Sequence, residues 1–118
     1  MAKGAIFIGW GDTLPGYREK GLKVFNDAMQ FNKRMQQQGE IDGFEPVLLD
    51  YHGGDLSGYV LIRGDRDKLG RLRMNPEFEN LNHRAALVVK NYGVIDAFFG
   101  DEMQRRLADY QKQVSDLG

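Results

Sequence analysis

The chain has 118 residues, which is enough for one domain with its own core. A hydrophobic fraction of 42%, a charged fraction of 28% and a net charge of −1 are typical of a globular protein that binds neither nucleic acid nor an anionic membrane surface. Without cysteine the chain has no disulfides, thiolate ligands or cysteine nucleophiles, and its short amino-terminal apolar run fits no signal peptide or membrane span, so we expect a cytoplasmic protein.

The first predicted element is a central strand at residues 4–10. It is apolar on both sides and ends at Trp10, the only tryptophan. A loop rich in glycine follows, but the lysine of a phosphate-binding loop is missing from it. Residues 17–38 then predict a helix, because apolar residues recur there at helical spacing in two adjacent stripes.

The next two elements form a predicted β-hairpin. Its strands are residues 43–51 and 57–63, and the turn is the segment His52-Gly53-Gly54-Asp55. Pro46 cannot donate a backbone hydrogen bond, so the first of these strands is expected at an edge of the sheet.

The remaining chain predicts two helical regions around a fourth strand. The first helical region follows Asp65 and restarts at Asn75-Pro76, since aspartate and asparagine cap helices and proline suits the first turn. Residues 91–98 predict the strand. Residues 101–117 predict a last amphipathic helix, because their apolar residues alternate three and four positions apart.

The element order β-α-β-β-α-β-α predicts a single α+β domain over residues 1–118. Its first six elements match the ferredoxin-like plan, a four-stranded antiparallel sheet with its helices on one face. The open face of such a sheet normally alternates polar and apolar residues, whereas these strands are apolar on both sides. We therefore predict a homodimer that pairs through the open sheet face.

One end of this sheet is the predicted ligand site. There, the carboxyl ends of the first two strands meet the amino ends of the other two. We expect a pocket at this end, between the sheet and the helices, for a small aromatic or apolar molecule. Its predicted walls are four aromatic residues: Trp10, Tyr17, Tyr51 and Tyr59.

Two residues of the hairpin turn are the catalytic candidates. His52, with Asp55 nearby, is suited to general acid or base catalysis near neutral pH, or to fixing the orientation of a ligand. The alternative is a turn histidine whose ring caps the backbone. On the second helical region, Asn82 points towards the core and is a further ligand-binding candidate, while His83 turns towards solvent or a dimer partner. The two histidines are far apart in the sequence and match no metal-ligand spacing, so no metal is predicted.

The element order, together with the segment Asn75-Pro76-Glu77-Phe78, resembles the dimeric α+β barrel superfamily. Its members include antibiotic-biosynthesis monooxygenase-type, YCII-related and many other bacterial proteins. In the haem-degrading branch a histidine follows the corresponding phenylalanine by four residues, and this position is Asn82 here. The resemblance therefore implies ferredoxin-like subunits paired face to face and gives no reason to expect haem or another cofactor.

Three functions are compatible with these patterns. The first is a homodimer that binds a small molecule at the Trp10/His52 end of the sheet. The second is a cofactor-free enzyme of the monooxygenase or isomerase type, with His52 as acid or base and Trp10 packing an aromatic substrate. The third is a structural or regulatory dimer without a ligand, in which the same aromatic residues belong to the core.

Overall fold

The computed structural model describes residues 2–118, which form an α+β fold with the predicted element order. The second predicted strand ends three residues early, at Leu48, because the chain leaves the sheet there to begin a wide loop. The elements are β1 (Lys3–Trp10), α1 (Arg18–Gln37), β2 (Gly43–Leu48), β3 (Gly58–Asp65), α2 (Arg66–Arg73), α3 (Pro76–Val88), β4 (Gly93–Ala97) and α4 (Gly100–Leu117).

The four strands form one antiparallel sheet in the order β2-β3-β1-β4. β1 lies between β3 and β4, as expected of the central strand. β2, which contains Pro46, lies at an edge of the sheet, and this confirms the prediction that Pro46 marks an edge strand. In this register Trp10 pairs with Gly58, and Gly9 pairs with both Tyr59 and Gly93.

Local capping interactions fix where the helices begin and end. Asp65 accepts a hydrogen bond from the backbone amide of Lys68 at 3.1 Å, which caps α2. Asn75 accepts bonds from the amides of Glu77 and Phe78, at 2.8 and 3.1 Å, and caps α3. α1 ends before Gly39, whose φ of 75° is the left-handed conformation that glycine adopts most readily.

The hydrophobic core lies between one face of the sheet and the helices α1, α2 and α3. Ile6, Val60 and Ile62 from the sheet are buried against Phe31 of α1 and Phe78 of α3. The even-numbered residues of β1 and β3 therefore face the helices, and the odd-numbered residues face the other side of the sheet.

This other side, which we call the open sheet face, is also apolar. It is formed by Phe7, Val47, Tyr59, Leu61 and Ile95. The rings of Phe7 and Tyr59 stack with their centroids 5.0 Å apart, and Ile95 is 59% exposed. The sequence prediction of strands that are apolar on both sides is confirmed.

The last helix, α4, projects from the body of the molecule. None of its residues is buried. It is attached near its start by a salt bridge from Arg66 to Glu102 at 3.1 Å and by the guanidinium of Arg106, which lies 3.5 Å from the ring centre of Phe98. The radius of gyration is 16.3 Å, compared with roughly 13.5 Å for a compact chain of this length. Over residues 2–118, no helix combines the length and hydropathy needed to span a bilayer.

Candidate functional site

A cavity of about 300 Å³ lies on the helix side of the sheet, where β1 ends. The loop after β1, the first half of α1 and the end of α3 surround it. A second, smaller cavity of about 60 Å³ continues towards the core. Four residues line both cavities: Trp10, Phe25, Ala85 and Tyr92. The two cavities therefore form one cleft between α1 and α3.

The indole of Trp10 is the main aromatic wall of this cleft. It contacts the ring of Phe25 edge to face, with 5.8 Å between the ring centroids. The strand pairing places Gly58 beside the indole, and a Cβ added at Gly58 would lie only 2.8 Å from it. Because glycine has no side chain, it leaves room for the indole at this position.

The polar element of the cleft is a hydrogen bond between Tyr92 and Asn82. The phenol of Tyr92 donates to Asn82 Oδ1 at 2.6 Å. Burial raises the pKa of the Tyr92 phenol well above its ordinary value, so the phenol stays neutral and remains a donor. Because the amide oxygen of Asn82 accepts this bond, its amide nitrogen is the group with donors to offer to a ligand.

Replacing Tyr92 by phenylalanine is expected to lower the free energy of unfolding by about 1–2 kcal/mol at neutral pH, because Asn82 loses its partner. A phenol with a raised pKa in the folded state contributes this stability below about pH 10 and loses it as the pH rises further. Urea unfolding at pH 7 and above pH 10 measures both effects. Tyr51→Phe, at a fully exposed site, is the control; equal losses for the two variants would contradict the role of the buried bond.

The mouth of the larger cavity carries charged and hydroxyl groups. Ser57 donates to Asp12 Oδ1 at 2.9 Å, and Arg18 lies on the first turn of α1 at the same rim. Together with Asn82 and Tyr92, these groups can hold the polar end of a molecule whose apolar part lies against Trp10. In the part of the chain from Ala2 onwards, no group of three or more metal-binding side chains converges.

His52 and Asp55 lie in the exposed β2–β3 loop and line neither cavity of the cleft. The His52 ring closes its own loop. Nδ1 accepts a bond from the Gly54 amide at 3.1 Å, and Nε2 lies 2.7 Å from the carbonyl oxygen of Leu56. An accepting Nδ1 places the proton on Nε2, which then donates to that carbonyl. This geometry is that of a turn histidine whose ring caps the backbone.

The other aromatic residues that were predicted to line the pocket lie in different parts of the molecule. Tyr51 is fully exposed. Tyr17 precedes α1 with Lys20 Nζ 5.0 Å from its ring centre, outside the cleft. Tyr59 lies on the open sheet face, because its register partner is Gly9 and not Trp10. Of the proposed ligand-binding residues, the structure brings Trp10 and Asn82 to the cleft.

The structure adds residues to this site that the sequence interpretation did not select. Among the described residues, Asn32 is the polar side chain that is buried, with 3% exposed, and it lines the smaller cavity with Phe25 and Met29. These three residues follow one another at helical spacing, so the sequence contains a polar residue within an apolar stripe, and this pattern could have indicated the site. The bond between Tyr92 and Asn82 had no such signal, since it joins residues ten positions apart.

Several solved structures share this fold. A dimeric ferredoxin-like protein of unknown function from a Jannaschia species has a TM-score of 0.66 at 9% identity, with 83% of this chain and 100% of that chain covered. A dimeric protein of unknown function with a ferredoxin-like fold from Bacteroides fragilis gives 0.60 at 14%, covering 82% and 96%. SnoaB, a cofactor-independent oxygenase from Streptomyces nogalater, gives 0.54 at 19%, covering 85% and 98%.

No protein-family model matches the chain, and no curated protein is similar to it in sequence. The structural matches span nearly the whole of each neighbour but leave about a sixth of this chain unmatched. The neighbours confirm the ferredoxin-like fold that the sequence predicted. The chain has a ferredoxin-like α+β fold with one further helix at its carboxyl end.

Proposed function

We propose that this chain is a homodimeric small-molecule-binding protein and that its ligand is a small, largely apolar, aromatic molecule held beside Trp10. The observation that carries the proposal is the bond between Tyr92 and Asn82, a polar pair in the wall of an otherwise apolar cleft. Ligand pockets combine an apolar lining with a few placed polar groups in this way. The aromatic part of the ligand packs against Trp10 and Phe25, and an oxygen of the ligand accepts from the Asn82 amide.

The homodimer is supported by the open sheet face. Phe7, Leu61 and Ile95 form a continuous apolar surface across three neighbouring strands. A salt bridge of 3.9 Å between Arg63 and Glu45 lies at one end of it. Such a surface with a polar rim is typical of a protein interface. Two of the structural neighbours are dimeric, which agrees with this assignment.

Fluorescence of the only tryptophan tests the ligand proposal directly. Titration with 2-naphthol, and then with a panel of hydroxylated two- and three-ring aromatic compounds, is expected to change the emission of Trp10 in a saturable manner. Calorimetry on the same compounds provides a second readout. If no compound changes either signal, the ligand proposal fails, and a structural or regulatory dimer without a ligand is the better description.

Two adjacent alanines of α3 provide a matched pair of variants. Ala85 lines both cavities, so Ala85→Phe fills the cleft and is expected to weaken binding at least about tenfold. Ala86 is exposed, so Ala86→Phe is expected to bind like the unmodified protein. Thermal melting of both variants confirms that the fold is kept. Equal affinities for the two variants would place the ligand outside the cleft.

A second candidate function is a cofactor-free enzyme of the monooxygenase or isomerase type. The specific observation that favours it is the bond from Tyr92 to Asn82, since it holds the Asn82 amide so that its N–H groups can donate to a phenolate or enolate oxygen that develops negative charge. SnoaB, one of the structural neighbours, is a cofactor-independent oxygenase. Oxygen uptake with each compound that binds separates an oxygenase from a binding protein. His52 lies outside the cleft, with its ring bonded to its own loop, so a role as the acid or base requires the β2–β3 loop to move. Loss of turnover in His52→Ala with unchanged binding is the expected result for this role.

A further inference from the structure

The apolar side of α4 has no partner within the described chain. It consists of Met103, Leu107, Tyr110, Val114 and Leu117, which we call the α4 seam. These five side chains are between 40 and 90% exposed, although the helix carries them all on one side. Isolated exposed apolar residues are ordinary on protein surfaces, but five of them aligned on one projecting helix indicate a contact surface.

The spacing of the α4 seam indicates what kind of element covers it. The residues follow one another at intervals of four, three, four and three, which is the a/d repeat of a coiled coil. A helix that rests on a sheet or a globular core carries a wider apolar stripe with additional positions. The narrow seam therefore fits a second helix that runs alongside α4.

The charges of α4 favour an identical helix as that partner. Three of the four positions that flank the seam are glutamines: Gln104, Gln111 and Gln113. Two identical helices therefore meet with little like-charge repulsion. On the outer side, Arg105 pairs with Asp109 at 2.8 Å and Lys112 pairs with Asp116 at 3.4 Å. The charges of α4 are thus largely balanced within the helix and do not select a partner of opposite charge.

The extent of the α4 seam shows that it needs a second contact. Its length is about 21 Å, which is close to two heptads, and a coiled coil of that length is marginal alone. Its exposed apolar surface comes from five side chains, compared with about 20–30 residues on each side of a standard interface. Along the chain the seam continues from the exposed residues Ile95, on the open sheet face, and Phe99.

We propose that the α4 seam binds the α4 seam of a second copy of this chain and extends the homodimer formed by the open sheet face. This inference rests on the proposed homodimer, because pairing of the sheets supplies the high effective concentration that so short a helix pair requires. The two contacts together form one isologous interface in which each protomer contributes the same residues.

Single-cysteine variants test the helix pair, since the natural chain has no cysteine. Tyr110 is the middle residue of the α4 seam, so it lies within one helical turn of its own counterpart whether the helices run parallel or antiparallel. Tyr110→Cys is expected to give a covalent dimer in high yield on mild oxidation. Lys112→Cys, on the outer side of the same helix, is the matched control and is expected to cross-link at least tenfold more slowly. Neither residue is buried, so both variants are expected to fold.

The results of this cross-linking experiment distinguish the pairing of the α4 seams from the proposed homodimer. Equal cross-linking rates at the two positions, in a protein that light scattering shows to be dimeric, overturn the α4 pair and leave the sheet interface intact. A monomeric protein without cross-linking at Tyr110→Cys overturns both. Selective cross-linking in a species with the mass of a tetramer also overturns the inference, because α4 would then join two dimers. Ligand binding to Trp10 is measured independently in each case.

Discussion

Replacing Leu61 by lysine is expected to convert the proposed homodimer into a monomer. Leu61 lies on β3, in the middle of the open sheet face, and pairs with Phe7 on one side and Glu45 on the other. The neighbouring Glu45 already pairs with Arg63 at 3.9 Å, so an ammonium group at this position is buried without a carboxylate of its own when two sheets meet, which costs about 3–5 kcal/mol. The dissociation constant of the dimer is therefore expected to rise at least about a hundredfold.

Light scattering and sedimentation over a range of protein concentrations measure this change. Leu87→Lys is the matched control, because Leu87 lies on α3, is 70% exposed and is remote from the open sheet face. It is expected to leave the mass unchanged. Thermal melting of Leu61→Lys distinguishes a folded monomer from an unfolded chain. A Leu61→Lys protein that dimerises as tightly as the unmodified one would exclude the open sheet face as the interface.

Replacing Phe31 by alanine is expected to remove a large part of the free energy of unfolding. Phe31 is 1% exposed, and its ring centre lies 6.1 Å from that of Phe78, so it holds α1 against α3. Truncating a buried phenylalanine costs about 3–5 kcal/mol, because apolar surface loses its contacts and a cavity remains. The total free energy of unfolding of such a domain is only about 5–15 kcal/mol.

For a chain of this size the loss corresponds to a fall in Tm of about 10–20 °C. Calorimetry and urea unfolding measure it. Phe99→Ala, at a site that is 42% exposed, is the control and is expected to cost no more than about 1 kcal/mol. Phe31 also lines the smaller cavity, so its removal is expected to enlarge the cleft that Trp10 monitors. Similar losses for the two variants would mean that the core lies elsewhere.

Much of the fold could be predicted because its signals are local. The apolar spacing of α1, the caps Asp65 and Asn75 and the edge position of Pro46 each depend on a few neighbouring residues, and each was confirmed. The apolar composition of both strand faces depends only on the alternation of side chains along a strand. The heptad spacing of α4 is likewise a property of the sequence alone.

The site depended on pairings that no local pattern contains. The register of β1 against β3 places Tyr59 beside Gly9, which moves its ring to the face opposite Trp10, and a shift of one residue would have reversed this. The ring of His52 is bonded to its own loop. The bond between Tyr92 and Asn82 forms only when β4 begins beside the middle of α3.

The sequence by itself therefore determined the elements, their order and the apolar character of both sheet faces, because each follows from the chemistry of a short segment. Only the tertiary structure decided which side chains share the cleft. That choice depends on strand register and helix position, which are fixed by the packing of the whole chain.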